Sequence, residues 1–212
     1  MGVRIAVAGA GLIGLRHIAA IALAGGAELA AVIDPAPASA QVAAQAGVPR
    51  FAALDDMPDG LADGIILATP NTLHVSGGLA AIARGLPVLV EKPIAVDLAE
   101  ARRLVDAGEA AAVPVLTGHH RRYNPLIAAA KSMIESGRIG RPVSVHGMFW
   151  LVKPDDYFDV DWRRRPGAGP VFMNLIHDID LLRHLVGDVV AVQAQTANTA
   201  RGHAVEETAV VL

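Results

Sequence analysis

Over the first 120 residues, short apolar runs with almost no polar interruption alternate with longer alanine-rich stretches. Val3–Ala8, Leu29–Ile33, Gly64–Ala68, Val88–Val90 and Val113–Thr117 read as strands. Runs that lack polar alternation are what parallel strands covered on both faces display. Leu12–Ala24, Ala36–Ala46, Thr72–Arg84 and Asp97–Ala111 read as helices. The βαβα order predicts an α/β fold, a doubly wound parallel sheet with right-handed crossovers. Alanine favours helix strongly but blurs amphipathic periodicity, so the helix ends are defined only to within a few residues.

The pattern changes near residue 120. Tyr123–Ser136 reads as a helix closed by Gly137, and Pro142–Val152 as a strand. Lys153–Pro170 is polar, aromatic and rich in arginine and proline, and reads as a loop. Val171–Val186 reads as a helix closed by Gly187, with strands at Val189–Thr196 and Val205–Leu212. The boundary expected is 1–120 for a first domain and 121–212 for a second, α+β domain. The last strand meets no turn signal before Leu212, so an incomplete second domain is expected; the alternative is a naturally small sheet.

Gly9-Ala10-Gly11-Leu12-Ile13-Gly14 is a GxGxxG turn that follows a strand and opens a helix, the context in which this motif binds a dinucleotide. Gly9 suits the tight turn, Gly11 a close approach of backbone to the pyrophosphate, and Gly14 helix–strand packing. The helix N-terminus, with Leu12 and Ile13 in its first turn, offers free N–H groups and a positive dipole end. Asp34 ends the second strand, where a carboxylate accepts hydrogen bonds from the adenosine ribose. It would repel a 2′-phosphate, and Pro35 follows rather than arginine, so NAD is expected over NADP. The alternative is a turn that serves only packing, with Asp34 capping the next helix.

Composition narrows the setting. The 212 residues are 53% hydrophobic and 18% charged, enough apolar content for a substantial core. A net charge of -3 without a basic stretch points away from nucleic acid. The absence of cysteine removes disulfides and thiolate chemistry. Arg4, the three glycines and Arg16-His17 interrupt the apolar N-terminus, which therefore reads as strand, turn and helix rather than as a signal peptide. No apolar run reaches the roughly 20 residues of a membrane span, and a cytoplasmic enzyme is expected. No established metal-ligand spacing is present, so no metal is expected.

Three further stretches lie after strands: Ala68-Thr69-Pro70-Asn71-Thr72-Leu73-His74, Glu91-Lys92-Pro93, and Gly118-His119-His120-Arg121-Arg122-Tyr123-Asn124-Pro125. C-terminal strand ends are where open α/β sheets bind ligands. With the glycine turn, these stretches resemble the Gfo/Idh/MocA family of oxidoreductases, with Glu91-Lys92-Pro93 the most specific element. The resemblance spans nearly the whole chain. It implies a Rossmann domain followed by a domain with a large, open, mostly antiparallel sheet, in longer chains than this one. It also implies a homodimer or homotetramer. It assigns Lys92 the role of holding the substrate oxygen and stabilising charge there, a role an ammonium on such an edge can fill. Pro93 follows a cis peptide in relatives. Thr69, Pro70, Asn71, His74, Glu91 and Lys92 are expected to contact the cofactor. For Asn71 the alternative is helix capping, for His74 an ordinary surface histidine, and for Lys92 a surface pair with Glu91. His120, Arg121, Arg122 and Tyr123 either line the crevice or serve structure.

Gly167-Ala168-Gly169 and Asn174-Leu175-Ile176-His177-Asp178-Ile179-Asp180 resemble the family's glycine turn and histidine helix. His177 matches the histidine assigned to proton transfer, chemistry that suits an imidazole near neutrality. Asp180, at i+3, is placed to orient His177 or to hold substrate. Asn174 offers a hydrogen bond, and Trp162 and Arg163 are candidates to wall the substrate pocket. Two positions depart from the pattern. Met173 stands where inositol-dehydrogenase-like members carry aspartate, which weakens a cyclitol assignment, and Ala168 replaces the second glycine of the turn. The function expected is NAD-dependent hydride transfer with a sugar, sugar acid or polyol. Two alternatives stand beside it: an enzyme that retains NAD and uses transient oxidation, as in glycoside cleavage, and a dinucleotide-binding sensor or assembly subunit.

Overall fold

The computed structural model describes residues 2–165 and 169–212, with the side chains of Trp162 and Pro170 also outside the description. The chain divides into two compact units, residues 1–118 and 119–212.

In the first unit six strands form one parallel sheet: β1 Val3–Ala8, β2 Ala27–Ile33, β3 Arg50–Phe51, β4 Gly64–Leu67, β5 Val88–Val90 and β6 Val115–Thr117, in the order β3-β2-β1-β4-β5-β6. Helices α1 Leu12–Leu23, α2 Ser39–Ala46, α3 His74–Ala83 and α4 Leu98–Ala111 make the crossovers. The two-residue periodicity of the strands divides the core. Ala6, Ala8, Ile65, Leu67, Val88 and Val90 pack on one face with Val75, Ile82 and Leu104 of the helices. Val7, Ile66 and Leu89 point to the other, against Ile18 and Ile21 of α1. Both faces are covered, which is why the strands read as continuous apolar runs. Chain order reverses between β1 and β4, so the loops after β1, β4 and β5 share the C-terminal edge at the switch point.

Local chemistry sets the ends. The Asp97 carboxylate accepts from the Glu100 N–H at 2.9 Å and starts α4. Gly47 closes α2 in the left-handed region. Helix α3 begins at His74, because Asn71–Leu73 forms a 3-10 turn first.

The second unit holds α5 Pro125–Glu135 and α6 Pro170–Val186, with strands β7 Ala194–Ala197 and β8 Thr208–Val211 paired antiparallel. Asn124 caps α5 by accepting from the Leu126 N–H, with Pro125 at the first helical position. Lys131 Nζ donates to the His184 carbonyl at 2.6 Å and ties α5 to the end of α6. The Glu206 carboxylate, from the segment before β8, accepts from the Phe172 N–H at 2.8 Å in the first turn of α6. The strands are shorter than Val189–Thr196 and Val205–Leu212, and Pro142–Val152 forms no strand. Val143, Met148, Trp150 and Val152 of that segment are exposed. Apolar content suits it to a strand, but a ladder requires a neighbouring edge. Among the described residues the sheet of this unit has two strands. No helix among them is long and apolar enough to cross a membrane.

Candidate functional site

The glycine turn joins β1 to α1. Gly9 has φ +91°, and a Cβ there would lie 2.5 Å from the Ala68 carbonyl oxygen, so both conformation and space demand glycine. A Cβ on Gly14 would lie 1.8 Å from the Gly9 carbonyl oxygen, because the helix sits directly on the turn. Gly11 differs, since a Cβ there would meet no atom within 4 Å. No packing among the described residues explains the absence of a side chain at Gly11. Gly11 is the N-cap of a twelve-residue helix with no side-chain cap hydrogen bond and no acidic residue in its first turn. Leu12 and Ile13 behind it are exposed. An open turn over uncapped N–H groups fits a dinucleotide pyrophosphate.

Asp34 lies half-buried at the end of β2. One carboxylate oxygen accepts from the Ala10 N–H at 2.7 Å and the other from the Ala36 N–H at 2.8 Å. The carboxylate therefore stitches the glycine turn to β2, and each oxygen keeps a lone pair for a ribose hydroxyl. It does not cap α2, whose N-cap is Ala38. Arg50, which the sequence reading passed over, donates to the carbonyls of Asp34, Pro35 and Ala36 and to Ser39 Oγ, and so pins this turn.

Thr69, Pro70 and Asn71 follow β4. Asn71 is buried and opens the 3-10 turn, while the N-cap of α3 is Leu73, so Asn71 does not cap that helix. His74 is 1% exposed. Its Nδ1 is 2.8 Å from the Pro93 carbonyl oxygen and its Nε2 3.0 Å from that of Thr69. The burial corrects the surface-histidine alternative; both neighbours are carbonyl acceptors, and a neutral imidazole has one N–H to donate. His74 bridges the loop after β4 to the loop after β5.

That second loop is Glu91-Lys92-Pro93, with a cis Lys92–Pro93 peptide. Glu91 N–H donates to the Leu67 carbonyl at 2.9 Å. One Glu91 carboxylate oxygen lies 2.8 Å from His17 Nε2, and the other accepts from the Lys92 N–H at 3.1 Å. Burial acts to raise the Glu91 carboxyl, but the hydrogen bonds from His17 and the Lys92 backbone outweigh it and hold the group below its ordinary value. A Cβ on Gly118 would lie 3.0 Å from this carboxyl, so Gly118 leaves room for it. His17 was read only as an interruption of the apolar N-terminus. Gly14, His17, Ile18 and Ile21 share one helical face, and Gly14 and Ile21 are buried. An ionisable residue on that face was the signal available.

In the second unit the candidates lie along α6 and the 3-10 turn His120–Tyr123. His177 and Asp180 are each 7% exposed. The His120 and His177 rings meet edge to face, with centroids 5.2 Å apart. Arg122 Nε donates to both Asp180 oxygens, at 3.1 and 2.9 Å, with Nη2 adding a further bond. His119 Nδ1 lies 3.8 Å from the same carboxylate. Burial opposes ionisation of Asp180, but the Arg122 hydrogen bonds and the nearby His119, Arg122 and His184 charges lower its pKa. Asp180 thus braces the turn against α6. Arg121 pairs with Asp178 at 2.9 Å and stacks over Phe149. Asn174 precedes His177 by three residues on α6, and Met173 by four. Tyr123 is 86% exposed. Arg163 lies over the Tyr157 ring, 4.2 Å from its centroid, and donates to the Tyr157 carbonyl. The expectations for the Trp162 side chain and for Gly167-Ala168 lie outside the described residues.

The first unit therefore gathers Gly9 to Gly14, Asp34, Thr69 to Asn71, Glu91 and Lys92 on strand ends around the switch point. The second brings His120 to His177, Arg121 to Asp178 and Arg122 to Asp180.

Comparison with known proteins follows the same division. A family model described as "Oxidoreductase family, NAD-binding Rossmann fold" matches residues 3–119, and the GFO/IDH/MocA C-terminal domain model matches 127–212. The rhizopine catabolism protein MocA of Rhizobium meliloti is 34% identical over 185 residues, 87% of this chain and 57% of that protein. An inositol 2-dehydrogenase of Streptomyces avermitilis is 38% identical over 191 residues, 86% of this chain and 53% of the other. Among solved structures, the WlbA dehydrogenase of Bordetella pertussis, crystallised with NADH and UDP-GlcNAcA, superposes with a TM-score of 0.90. It is 36% identical and covers 99% of this chain and 62% of its own. The chain thus spans somewhat over half the length of the curated relatives it matches.

Proposed function

The chain belongs to the Gfo/Idh/MocA family of oxidoreductases, and from that premise we propose that it forms most of the active site of an NAD-dependent dehydrogenase acting on a sugar, sugar acid or polyol. What carries it is that Lys92 sits on the same sheet edge as the glycine turn and Asp34, its N–H donating to the Glu91 carboxylate while the carbonyl of the next residue, Pro93, faces His74.

Nicotinamide, when bound, accepts the hydride from the substrate carbinol. The residues of this chain supply the rest. The α1 N-terminus and the open Gly11 hold the pyrophosphate, and Asp34 accepts from the adenosine ribose and disfavours a 2′-phosphate. Thr69, Pro70, Asn71 and Glu91 support the cofactor on the strand ends of the first unit. Lys92 holds the substrate oxygen and stabilises the negative charge that develops on it. His177 takes the hydroxyl proton. His120, Arg121 and Asn174 are the polar candidates for binding the substrate ring.

Met173 in place of the family aspartate argues against a cyclitol. The likeness to WlbA, which was crystallised with a nucleotide-sugar acid, favours an acidic sugar. A homo-oligomer and a cytoplasmic location, where the nicotinamide pool lies, belong to the same reading. Exposed Val190, Val192 and Val210 around β7 and β8 support association. The test is a screen of sugars, sugar acids, nucleotide sugars and polyols against the full-length protein with NAD or NADP, read by absorbance of the reduced cofactor. Turnover with an acidic sugar and NAD is expected. Turnover only with NADP, or none with any carbinol, would sink the proposal.

A further inference from the structure

Two histidines that the proposed chemistry does not use grip the segment that carries Lys92. His17, on α1, is hydrogen-bonded through Nε2 to one oxygen of the Glu91 carboxylate at 2.8 Å. The other oxygen accepts the Lys92 N–H at 3.1 Å. An ionised carboxylate only accepts, so Nε2 of His17 carries the proton. His74, the first residue of α3, faces the Pro93 carbonyl with Nδ1 and the Thr69 carbonyl with Nε2. The tripeptide is therefore held at its first residue from one helix and at its third from another, and Lys92 lies between the two anchors.

We propose that His17 and His74 are positioning residues for Lys92, His17 acting through Glu91 and His74 through the Pro93 carbonyl. Neither contact is a packing accident of neighbouring residues, since His17 and Glu91 are 74 positions apart and His74 and Pro93 are 19 apart. Each closes a loop at the C-terminal edge of the sheet. His17 lies three residues after Gly14 and so ties the Lys92 mount to the helix of the glycine turn; a neutral His74 has one N–H, and the shorter contact gives it to the Pro93 carbonyl at 2.8 Å. Loss of either anchor lets the Lys92 backbone drift, and a drift of about 1 Å at a reacting group can cost roughly 100-fold in rate.

The inference rests on the role proposed for Lys92, and the experiment separates the two. In the full-length protein with NAD and a turned-over substrate, His17→Ala is expected to lower kcat by about 10- to 100-fold. NAD affinity, read by quenching of protein fluorescence, should stay within about threefold. His17→Gln, whose amide N–H can still reach Glu91, should recover most of the loss. In a Lys92→Ala background His17→Ala should cost less than about twofold more, since coupled residues are not additive. Independently of turnover, hydrogen exchange at the Glu91 and Lys92 amides should quicken in His17→Ala and in His74→Asn. An equal loss of kcat in both backgrounds, or unchanged exchange at these amides, would overturn the positioning role. Full kcat in Lys92→Ala would instead remove the role proposed for Lys92, and the exchange data would still decide whether the histidines hold the segment.

Discussion

Gly11 and Gly14 belong to one motif but stand in opposite surroundings, and replacing each by alanine should separate folding from binding. At Gly14 a Cβ would lie 1.8 Å from the Gly9 carbonyl oxygen, against the 3.0 Å below which real Cβ contacts essentially never fall. The start of α1 must move off the turn by about 1.2 Å, and neither partner is a flexible side chain. Overpacking of this kind costs about 1–3 kcal/mol or more. At Gly11 a Cβ meets nothing within 4 Å, and the backbone, φ -74° and ψ -170°, is open to alanine. Alanine there gains about 0.4–1 kcal/mol by restricting the unfolded chain and loses a similar amount as a poorer N-cap. Gly11→Ala should therefore leave stability within about 0.5 kcal/mol. NAD affinity should still fall by at least about tenfold, the equivalent of 1.4 kcal/mol, because the methyl occupies the approach to the helix N-terminus. Urea unfolding of the full-length protein gives the first quantity and NAD titration the second. Gly11→Ala binding NAD like the wild type would refute the placement of the pyrophosphate. Equal destabilisation by both substitutions would refute the packing argument.

Asp34→Ala should narrow the preference for NAD over NADP, measured by titrating both cofactors; a wild-type preference for NADP would contradict the ribose assignment. Lys92→Ala and His177→Ala should each lower kcat by roughly 10²–10⁴-fold, with a smaller change in NAD affinity, and steady-state kinetics would show whether either retains full rate. Acid should weaken the fold through Glu91 and Asp180. Both carboxyls lie below their ordinary values when folded, so their contribution is complete above the unfolded pKa and is lost as pH falls through the folded one. The loss should begin below about pH 4, and Asp180→Asn should flatten the stability–pH slope there. An unchanged slope would show that Arg122 adds nothing to folding through this pair.

The first unit was largely legible because its signals are local. Covered parallel strands announce themselves as apolar runs, and Gly9 and Gly14 as the tight-turn and close-packing positions of the glycine motif. β3 escaped because two residues, Arg50 and Phe51, carry no period. The 3-10 turn at Asn71–Leu73 moved the start of α3 to His74, since a single turn looks helical in sequence. Pro142–Val152 went the other way. Its residues favour a strand, but a strand is a pairing and no edge meets it among the described residues.

By itself the sequence determined the doubly wound sheet, the dinucleotide turn, the carboxylate at the end of β2, and the residue types at the strand ends. These follow from spacing, conformational preference and the burial of apolar runs, all encoded within a few residues. The partners of the polar side chains were decided only by the tertiary structure. His74 became a bridge between Thr69 and Pro93, His17 the holder of Glu91, and Asp180 the brace of Arg122. A buried polar group must find a partner, but the partner can lie anywhere along the chain. The 58 positions between Arg122 and Asp180 leave no local trace of the bond, and only the folded backbone brings the two within reach.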